Sequence, residues 1–183
     1  ETSYDDLKLV MVGMCPYHSI KNGEYVADGL LMGCSTTNIL QPSLQKFYDG
    51  IEKEMHNGLC VTCERPPDVS FLAKQGILMY NAALTTEINK AGSHIDLWEP
   101  FTKYVFEEVL ATTGAPVLFL GKDAAKYEKY VAPFTWHFTL SHPASASYKQ
   151  TDWDTEGTFT KVNTVLKDNN NFNIMWLDEK VPF

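Results

Sequence analysis

Short apolar runs alternate with segments of helical periodicity along the chain. The apolar runs have the length of buried β-strands and lie at residues 9–12, 76–80, 116–120 and 134–140. Apolar residues recur at helical spacing in the longer segments 43–55, 98–110, 123–130 and 159–166, and Ser43 is predicted to cap the first helix. Segments 84–93 and 142–157 are predicted to be loops. Strands that alternate with helices predict a three-layer α/β/α fold around a mostly parallel four-stranded sheet.

Polar side chains follow three of these predicted strands at the point where each strand ends. Cys15, Tyr17 and His18 come after the first strand, Asn81 ends the second, and His142 follows the fourth. In an open parallel sheet, ligands bind beyond the carboxyl ends of the strands. The pattern therefore predicts one pocket that is built from three separate parts of the chain.

Composition narrows the class of protein. A chain of 183 residues is predicted to form one domain, residues 1–183, with a full core. No apolar run approaches the roughly 20 residues of a membrane helix, so no membrane partner is expected. The cysteines, Cys15, Cys34, Cys60 and Cys63, do not have the spacing of a disulfide framework. They favour an intracellular, reducing compartment, either cytoplasm or nucleus.

Several segments, taken in order, resemble the best-known family of uracil-DNA glycosylases. Gly13-Met-Cys-Pro-Tyr-His18 is similar to the family's water-activating motif Gly-Gln-Asp-Pro-Tyr-His. Residues 42–44 resemble the Pro-Ser-Leu of a DNA-contacting loop, and residues 76–85 resemble Gly-Val-Leu-Leu-Leu-Asn-Thr-Val-Leu-Thr. His142-Pro-Ala-Ser-Ala-Ser147 resembles His-Pro-Ser-Pro-Leu-Ser. The likeness runs from about residue 9 to residue 180 and implies the uracil-DNA glycosylase fold.

The resemblance also implies roles for particular residues. Asn81 would read the Watson–Crick edge of a flipped uracil, and Tyr17 would exclude the thymine methyl group. His142 would steady the negative charge that grows on the departing base. The DNA contacts would come from the two loops of the family that grip the strand, here Pro42, Ser43, Ser145, Ala146 and Ser147.

Other positions depart from the family pattern. Cys15 stands where the family has its aspartate, and Met14 replaces the neighbouring glutamine. Met32 stands where a phenylalanine stacks on the base, and Ala146 where a leucine wedges into the duplex. The residues that read the base edge are thus retained, whereas the carboxylate, the stacking ring and the wedge are lost. Trp153 is a candidate substitute wedge or stacking platform.

Three roles for Cys15 are open. A thiolate would stabilise a cationic sugar, but this requires a pKa lowered by nearby positive charge, for which His18 and His142 are candidates. A nucleophilic thiol would attack C1′ and form a covalent intermediate. The favoured interpretation is a small, uncharged side chain that fills the space of the lost carboxylate.

The second half of the cysteine set, Cys60-Val-Thr-Cys63, supplies only two of the four ligands that structural zinc needs. Loop cysteines without metal are the favoured interpretation, with a redox pair as the alternative. We therefore expect no metal and no cofactor.

Three functions are compatible with these observations. The first is a divergent glycosylase that flips a uracil-like or modified pyrimidine and hydrolyses its N-glycosidic bond. The second is a catalytically silent relative that binds DNA or serves in a replication or repair assembly. The third is an interaction protein that has lost DNA binding. The expected partner is DNA, single-stranded or containing uracil or a modified base, although a net charge of −8 opposes its long-range attraction. A protein partner is an open alternative.

Overall fold

A sheet of four parallel strands forms the centre of the fold in this computed structural model, which describes residues 2–58 and 63–179. The strands in chain order are β1 (Leu9–Gly13), β2 (Ile20–Lys21), β3 (Glu24–Tyr25), β4 (Cys63–Glu64), β5 (Ile77–Asn81), β6 (Val117–Leu120), β7 (His137–Leu140) and β8 (Asp178–Glu179). The central sheet has the order β5–β1–β6–β7 and is parallel throughout. The other strands form two small antiparallel pairs, β2–β3 and β4–β8.

Helices cover both faces of this sheet. They are α1 (Pro42–His56), α2 (Ser70–Ala73), α3 (Ile95–Tyr104), which continues as a π-helical segment over Val105–Leu110, α4 (Lys122–Ala125), α5 (Pro143–Lys149) and α6 (Thr158–Asn170). Short 3₁₀ turns occur at Ser35–Thr37 and Glu128–Tyr130. None of the described helices has the length and apolar character needed to cross a bilayer.

Alternation along the strands divides the core into two parts. Leu9 and Met11 of β1 pack on one face of the sheet, in the cluster that contains residues of α1, α5 and α6. Val10 and Val12 face the opposite side and pack with the π-helical segment and α4. Each fully buried aliphatic side chain contributes about 1.5–3 kcal/mol to folding. The predicted three-layer α/β/α fold with a parallel four-stranded sheet is therefore confirmed.

Two local predictions are wrong. Segment 142–157 is not a loop throughout, because α5 begins directly after His142, with Pro143 in its first turn. The segment lacks apolar periodicity since its helix is only seven residues long and buries just Pro143 and Ala146. The predicted cap of α1 is also wrong: Gln41 is the N-cap residue, and Ser43 is buried inside the first turn.

Candidate functional site

The carboxyl edge of the sheet brings the predicted pocket residues together. Gly13, the last residue of β1, is in register with Asn81, the last residue of β5. The pairing extends beyond the strands, because the amides of Ala82 and Ala83 donate to the carbonyls of Gly13 and Met14 at 2.9 Å each. These hydrogen bonds place the loop that follows β1 beside the end of β5.

The ends of β6 and β7 meet at the same edge. The amide of Gly121, the first residue after β6, donates to the carbonyl of Leu140 at 2.7 Å. Gly121 has a φ of +95°, and a Cβ atom added to it would lie 3.0 Å from Cβ of His142. A glycine is required here, both for this backbone conformation and for the close approach of the histidine.

The Asn81 side chain carries an unused acceptor. Asn81 is only 6% exposed, and its Oδ1 has no hydrogen-bond partner among the described residues. A buried amide oxygen without a partner costs about 1–3 kcal/mol. A carboxamide offers one acceptor and two donors, the set that complements the N3–H and O4 atoms of uracil. A buried acceptor without a protein partner is the feature expected of an amide that binds a ligand.

His142 is held in one protonation state by its position. It is the N-cap residue of α5, and its Nδ1 accepts a hydrogen bond from the amide of Ala144 at 3.1 Å. Because Nδ1 is an acceptor, the neutral ring carries its proton on Nε2. Burial also lowers the pKa of His142 below its ordinary value, which favours the neutral form. The side chain therefore presents an Nε2–H donor at neutral pH.

Cys15 lies in a setting that keeps its thiol protonated. Its Sγ accepts a hydrogen bond from the amide of Gly92 at 3.2 Å. The thiol is also hydrogen-bonded with the side chain of Thr86, whose hydroxyl donates its own proton to the Lys90 carbonyl at 2.7 Å. Burial raises the pKa of the thiol, Asp123 raises it further, and the two hydrogen bonds oppose these effects without overcoming them. Positive charge from His18 or His142 is not among the causes. These contacts weigh against the thiolate role and against an activated nucleophile.

Tyr17 packs against the core cluster that contains Met32. The hydroxyls of Tyr17 and Ser43 share a hydrogen bond of 2.7 Å, which fixes the ring and explains why Ser43 does not cap α1. Met32 is buried with a φ of +63°. Its loop is held by the carboxylate of Asp28, which accepts hydrogen bonds from the amides of Leu30 and Ser35 and from the Ser35 hydroxyl.

A cavity of about 580 Å³ opens against these residues. Tyr17 and Asn81 line it, and it runs along the free edge of β5 to Ile77. Cys15 and His142 are not among its lining residues. The cavity therefore does not join all the residues that were predicted to form one pocket.

The residues predicted to contact DNA do not share one environment. Pro42 is exposed and Ser43 is buried, whereas Ser145 and Ser147 are half-buried. Ala146 is 5% exposed and packs into the core, so its side chain is not available as a wedge.

The side chain of Trp153 is also not available as a wedge. It is 3% exposed, stacks on Phe47 with ring centroids 6.0 Å apart, and donates from Nε1 to the Ser141 carbonyl at 2.9 Å. The interpretation of Trp153 as a wedge or stacking platform is therefore wrong. Tyr148, also in α5, is an exposed aromatic residue, at 86%.

The cysteines differ from the expectation in one respect. Cys63 is disulfide-bonded, which weakens the argument that took all four cysteines as reduced thiols. Cys15 and Cys34 are free. Cys60 lies outside the described residues. Within those residues, no group of three or more His, Cys, Asp or Glu side chains has the arrangement of a metal site.

Sequence reasoning missed four residues that shape this site: Thr86, Gly92, Gly121 and Asp123. Gly121 and Asp123 follow β6, and applying the strand-end rule to that strand as well would have found them. Thr86 and Gly92 lie in segment 84–93, which carries no periodic signal, and only the folded chain shows their contacts with Cys15.

Comparison with known proteins gives a consistent family. A model of the uracil DNA glycosylase superfamily matches residues 1–167. The uracil-DNA glycosylase of Streptococcus uberis is 32% identical over 184 residues, which cover 97% of this chain and 78% of that protein. The one from Campylobacter jejuni subsp. doylei is 30% identical over 172 residues, which cover 93% and 71%.

Solved structures agree with the sequence matches. A crystal structure of mimivirus uracil-DNA glycosylase superposes with a TM-score of 0.77 at 25% identity and covers 94% of this chain and 68% of that one. A variant of mimivirus UNG in complex with UGI gives a TM-score of 0.78 at 25% identity, with 94% and 70% covered.

Proposed function

Because the chain belongs to the uracil DNA glycosylase superfamily, we propose that it binds DNA, takes up a flipped uracil-like or modified pyrimidine and hydrolyses its N-glycosidic bond. Members of this family are DNA-repair hydrolases that act on glycosidic bonds. The observation that carries the proposal is the buried Asn81 amide, whose Oδ1 has no partner among the described residues.

The base-reading side supplies both recognition and leaving-group stabilisation. Asn81 Oδ1 accepts from N3–H of the base, and its Nδ2 donates to O4. His142 donates from Nε2–H to O2, where negative charge grows as the C1′–N1 bond breaks. Tyr17, fixed by Ser43, limits the space beside C5. Met32 packs against the ring in place of a stacking aromatic residue.

Cys15 in this proposal is an uncharged residue at the place of the family's carboxylate. The amide of Gly92, which donates to its sulfur, is a donor suited to an anion. Met14 completes the same loop, with its carbonyl tied to the Ala83 amide. The site therefore keeps a donor for a carboxylate although it lacks the carboxylate itself.

DNA is held, in this proposal, by the start of α1 and by α5. Pro42 supplies one contact, with buried Ser43 holding Tyr17 beside it, and Ser145 and Ser147 supply the other. Tyr148, rather than Ala146, enters the gap left by the flipped nucleotide. A DNA substrate would place the protein inside the cell, in cytoplasm or nucleus.

The test is a comparison of natural protein, Asn81→Ala and Asn169→Ala on single-stranded oligonucleotides with one deoxyuridine or one thymidine. Asn169 is an exposed asparagine of α6 and is the matched control. Cleavage after alkali treatment and binding by fluorescence anisotropy are both measured. We expect deoxyuridine-specific binding that Asn81→Ala weakens at least about tenfold, while Asn169→Ala leaves it unchanged. Equal binding of both oligonucleotides by the natural protein would contradict the proposal.

A catalytically silent binding protein is the second candidate, and the neutral thiol of Cys15 favours it. The same experiment separates the two. Deoxyuridine-specific binding with cleavage identifies an enzyme, whereas deoxyuridine-specific binding without cleavage identifies a silent relative.

A further inference from the structure

Loss of the motif carboxylate leaves the sugar-facing side of the site without its own anion. Hydrolysis of an N-glycosidic bond places positive charge on the sugar, which a nearby anion must stabilise. Cys15 does not supply it, since burial keeps the thiol protonated. The relevant question is which other carboxylate of the described chain reaches this edge of the sheet.

Asp123 is the carboxylate that the strand order places at this edge of the sheet. It lies three residues beyond β6, in the first turn of α4. Strand β6 is central, between β1, which leads to Cys15, and β7, which leads to His142. The turn at Gly121 packs directly against His142. The charge of Asp123 also raises the pKa of the Cys15 thiol.

Other acidic residues around the pocket fit this role less well. The carboxylate of Asp28 is bound by two backbone amides and one hydroxyl of its own loop. Glu87 is exposed, and its charge, unlike that of Asp123, is not among those that shift the pKa of the Cys15 thiol.

Asp123 pairs with Lys126 at 2.7 Å, but the lysine side chain is 65% exposed, and surface pairs of this kind contribute little to stability. The Asp123 carboxylate can therefore leave this partner at little cost.

We propose that Asp123 is a catalytic residue, the relocated carboxylate that faces C1′ of the flipped nucleotide. The inference rests on the proposed glycosylase function. When the C1′–N1 bond breaks, its electron pair leaves with the base, whose O2 accepts the hydrogen bond from His142. The oxygen of a water molecule then bonds to C1′, and the water proton passes to the Asp123 carboxylate and on to solvent. The products are the free base and an abasic site, and no further reactant is needed.

A double-mutant cycle tests this assignment. Natural protein, Asp123→Asn, Cys15→Asp and the double variant are compared in single-turnover cleavage of a single-stranded deoxyuridine oligonucleotide. We expect Asp123→Asn to slow the natural protein about 10²-fold, because one charge-stabilising group is removed. In the Cys15→Asp background, which restores a carboxylate, the same change is expected to cost less than about threefold. Equal losses in both backgrounds would overturn the proposal.

A binding experiment makes the test independent of turnover. Single-stranded oligonucleotides carry either a cationic pyrrolidine or a neutral tetrahydrofuran in place of the sugar, and free uracil is added to both. The natural protein is expected to prefer the cation at least about tenfold, and Asp123→Asn is expected to abolish that preference. Glu128→Gln, an exposed carboxylate that pairs with His137, is the matched control and should keep it.

Two outcomes separate this inference from the proposed function. If the protein prefers deoxyuridine over thymidine but Asp123→Asn leaves the cation preference intact, the proposed function stands and the role of Asp123 is wrong. If no preference for deoxyuridine exists, both are wrong. Should Asp123→Asn fold poorly, Lys126→Ala replaces it, since removing the competing ammonium is expected to raise the cation preference.

Discussion

The two sides of this pocket differ in what they retain. The side that we propose reads the base holds a buried amide whose oxygen has no partner among the described residues, a histidine fixed as a neutral donor and a tyrosine anchored to Ser43. The side that we propose faces the sugar holds a protonated thiol that accepts from the Gly92 amide, a donor suited to an anion. The difference teaches that recognition of a base and stabilisation of a cation rest on separate strand ends. One of them can change while the geometry of the other persists.

The substitution expected to reduce the difference between the two sides most is Cys15→Asp. The Gly92 amide, which donates to the sulfur, is positioned to donate to a carboxylate at residue 15, so the substitution restores the missing charge to the proposed base-reading site. We expect the single-turnover rate on single-stranded deoxyuridine DNA to rise about 10²-fold. Cys34→Asp is not a suitable control, because Cys34 is fully buried in the core; Cys15→Asn is, since it matches the size without the charge.

Cys15→Asn is expected to leave the rate within about threefold of that of the natural protein. A similar gain from Asn and Asp would show that size rather than charge limits the site, and the contrast between the two sides would be wrong.

The second prediction concerns Tyr148 and the choice between single and double strands. In α5 the residues Pro143 and Ala146 face the core, and Tyr148 is turned about 200° from Ala146 toward solvent. Stacking of an aromatic side chain on a base contributes about 1–3 kcal/mol. Tyr148→Ala is therefore expected to weaken binding to deoxyuridine in a duplex about tenfold and to leave single-stranded binding within about twofold.

Tyr148→Phe is the control for this prediction and should keep duplex binding, because it retains the ring. Equal losses on both substrates for Tyr148→Ala would show that Tyr148 contacts the strand without entering the stack. Fluorescence of 2-aminopurine opposite the deoxyuridine reports insertion directly.

The sequence predicts the positions of the strands but not the orientation of every side chain near the site. The four strands of the sheet are short apolar runs with clear ends, so the pattern located them and the polar residues that follow them. The assignment of Trp153 as a wedge or stacking platform failed for a different reason. Whether a side chain in segment 142–157 points inward depends on the phase of α5 and on packing against Phe47, and neither is encoded in a local pattern.

The contacts of Cys15 could not be predicted from the sequence for a related reason. Gly92 lies 77 residues away along the chain, and its amide meets the sulfur only because segment 84–93 folds back over the loop after β1. A motif identifies which residue stands at a position, but the pKa of that residue depends on burial and on partners distant in sequence.

The third prediction asks whether a leucine at position 146 would contact DNA or only overpack the core. Ala146→Leu restores the side chain that the family has at the corresponding position, yet Ala146 is 5% exposed among core residues. We expect overpacking to lower the free energy of unfolding by about 1–3 kcal/mol, measured by urea denaturation, without a gain in duplex binding. Ser147→Leu, at a half-buried position one residue later, is the comparison variant and should cost less. Improved duplex binding by Ala146→Leu would mean that α5 unwinds on DNA.

The smallest expected effect is the pH dependence of stability that His142 confers. Its pKa in the folded protein is below the value of about 6.5 in the unfolded chain, so the unfolded state binds more protons between these two values. The contribution of His142 to stability is therefore complete above about pH 6.5 and is lost as the pH falls toward the folded pKa. His142→Asn keeps a side-chain acceptor for the Ala144 amide at the N-cap but cannot titrate.

Unfolding midpoints of the two proteins between pH 8 and pH 5 give the test, because every other titrating group is common to both. The difference between the curves is expected to shrink or change sign as the pH falls below about 6.5. A constant difference across this range would show that His142 titrates normally in the folded protein. The base-reading side would then carry a cation at mildly acidic pH, and its neutrality, which sets it apart from a simple charge-pairing site, would be lost.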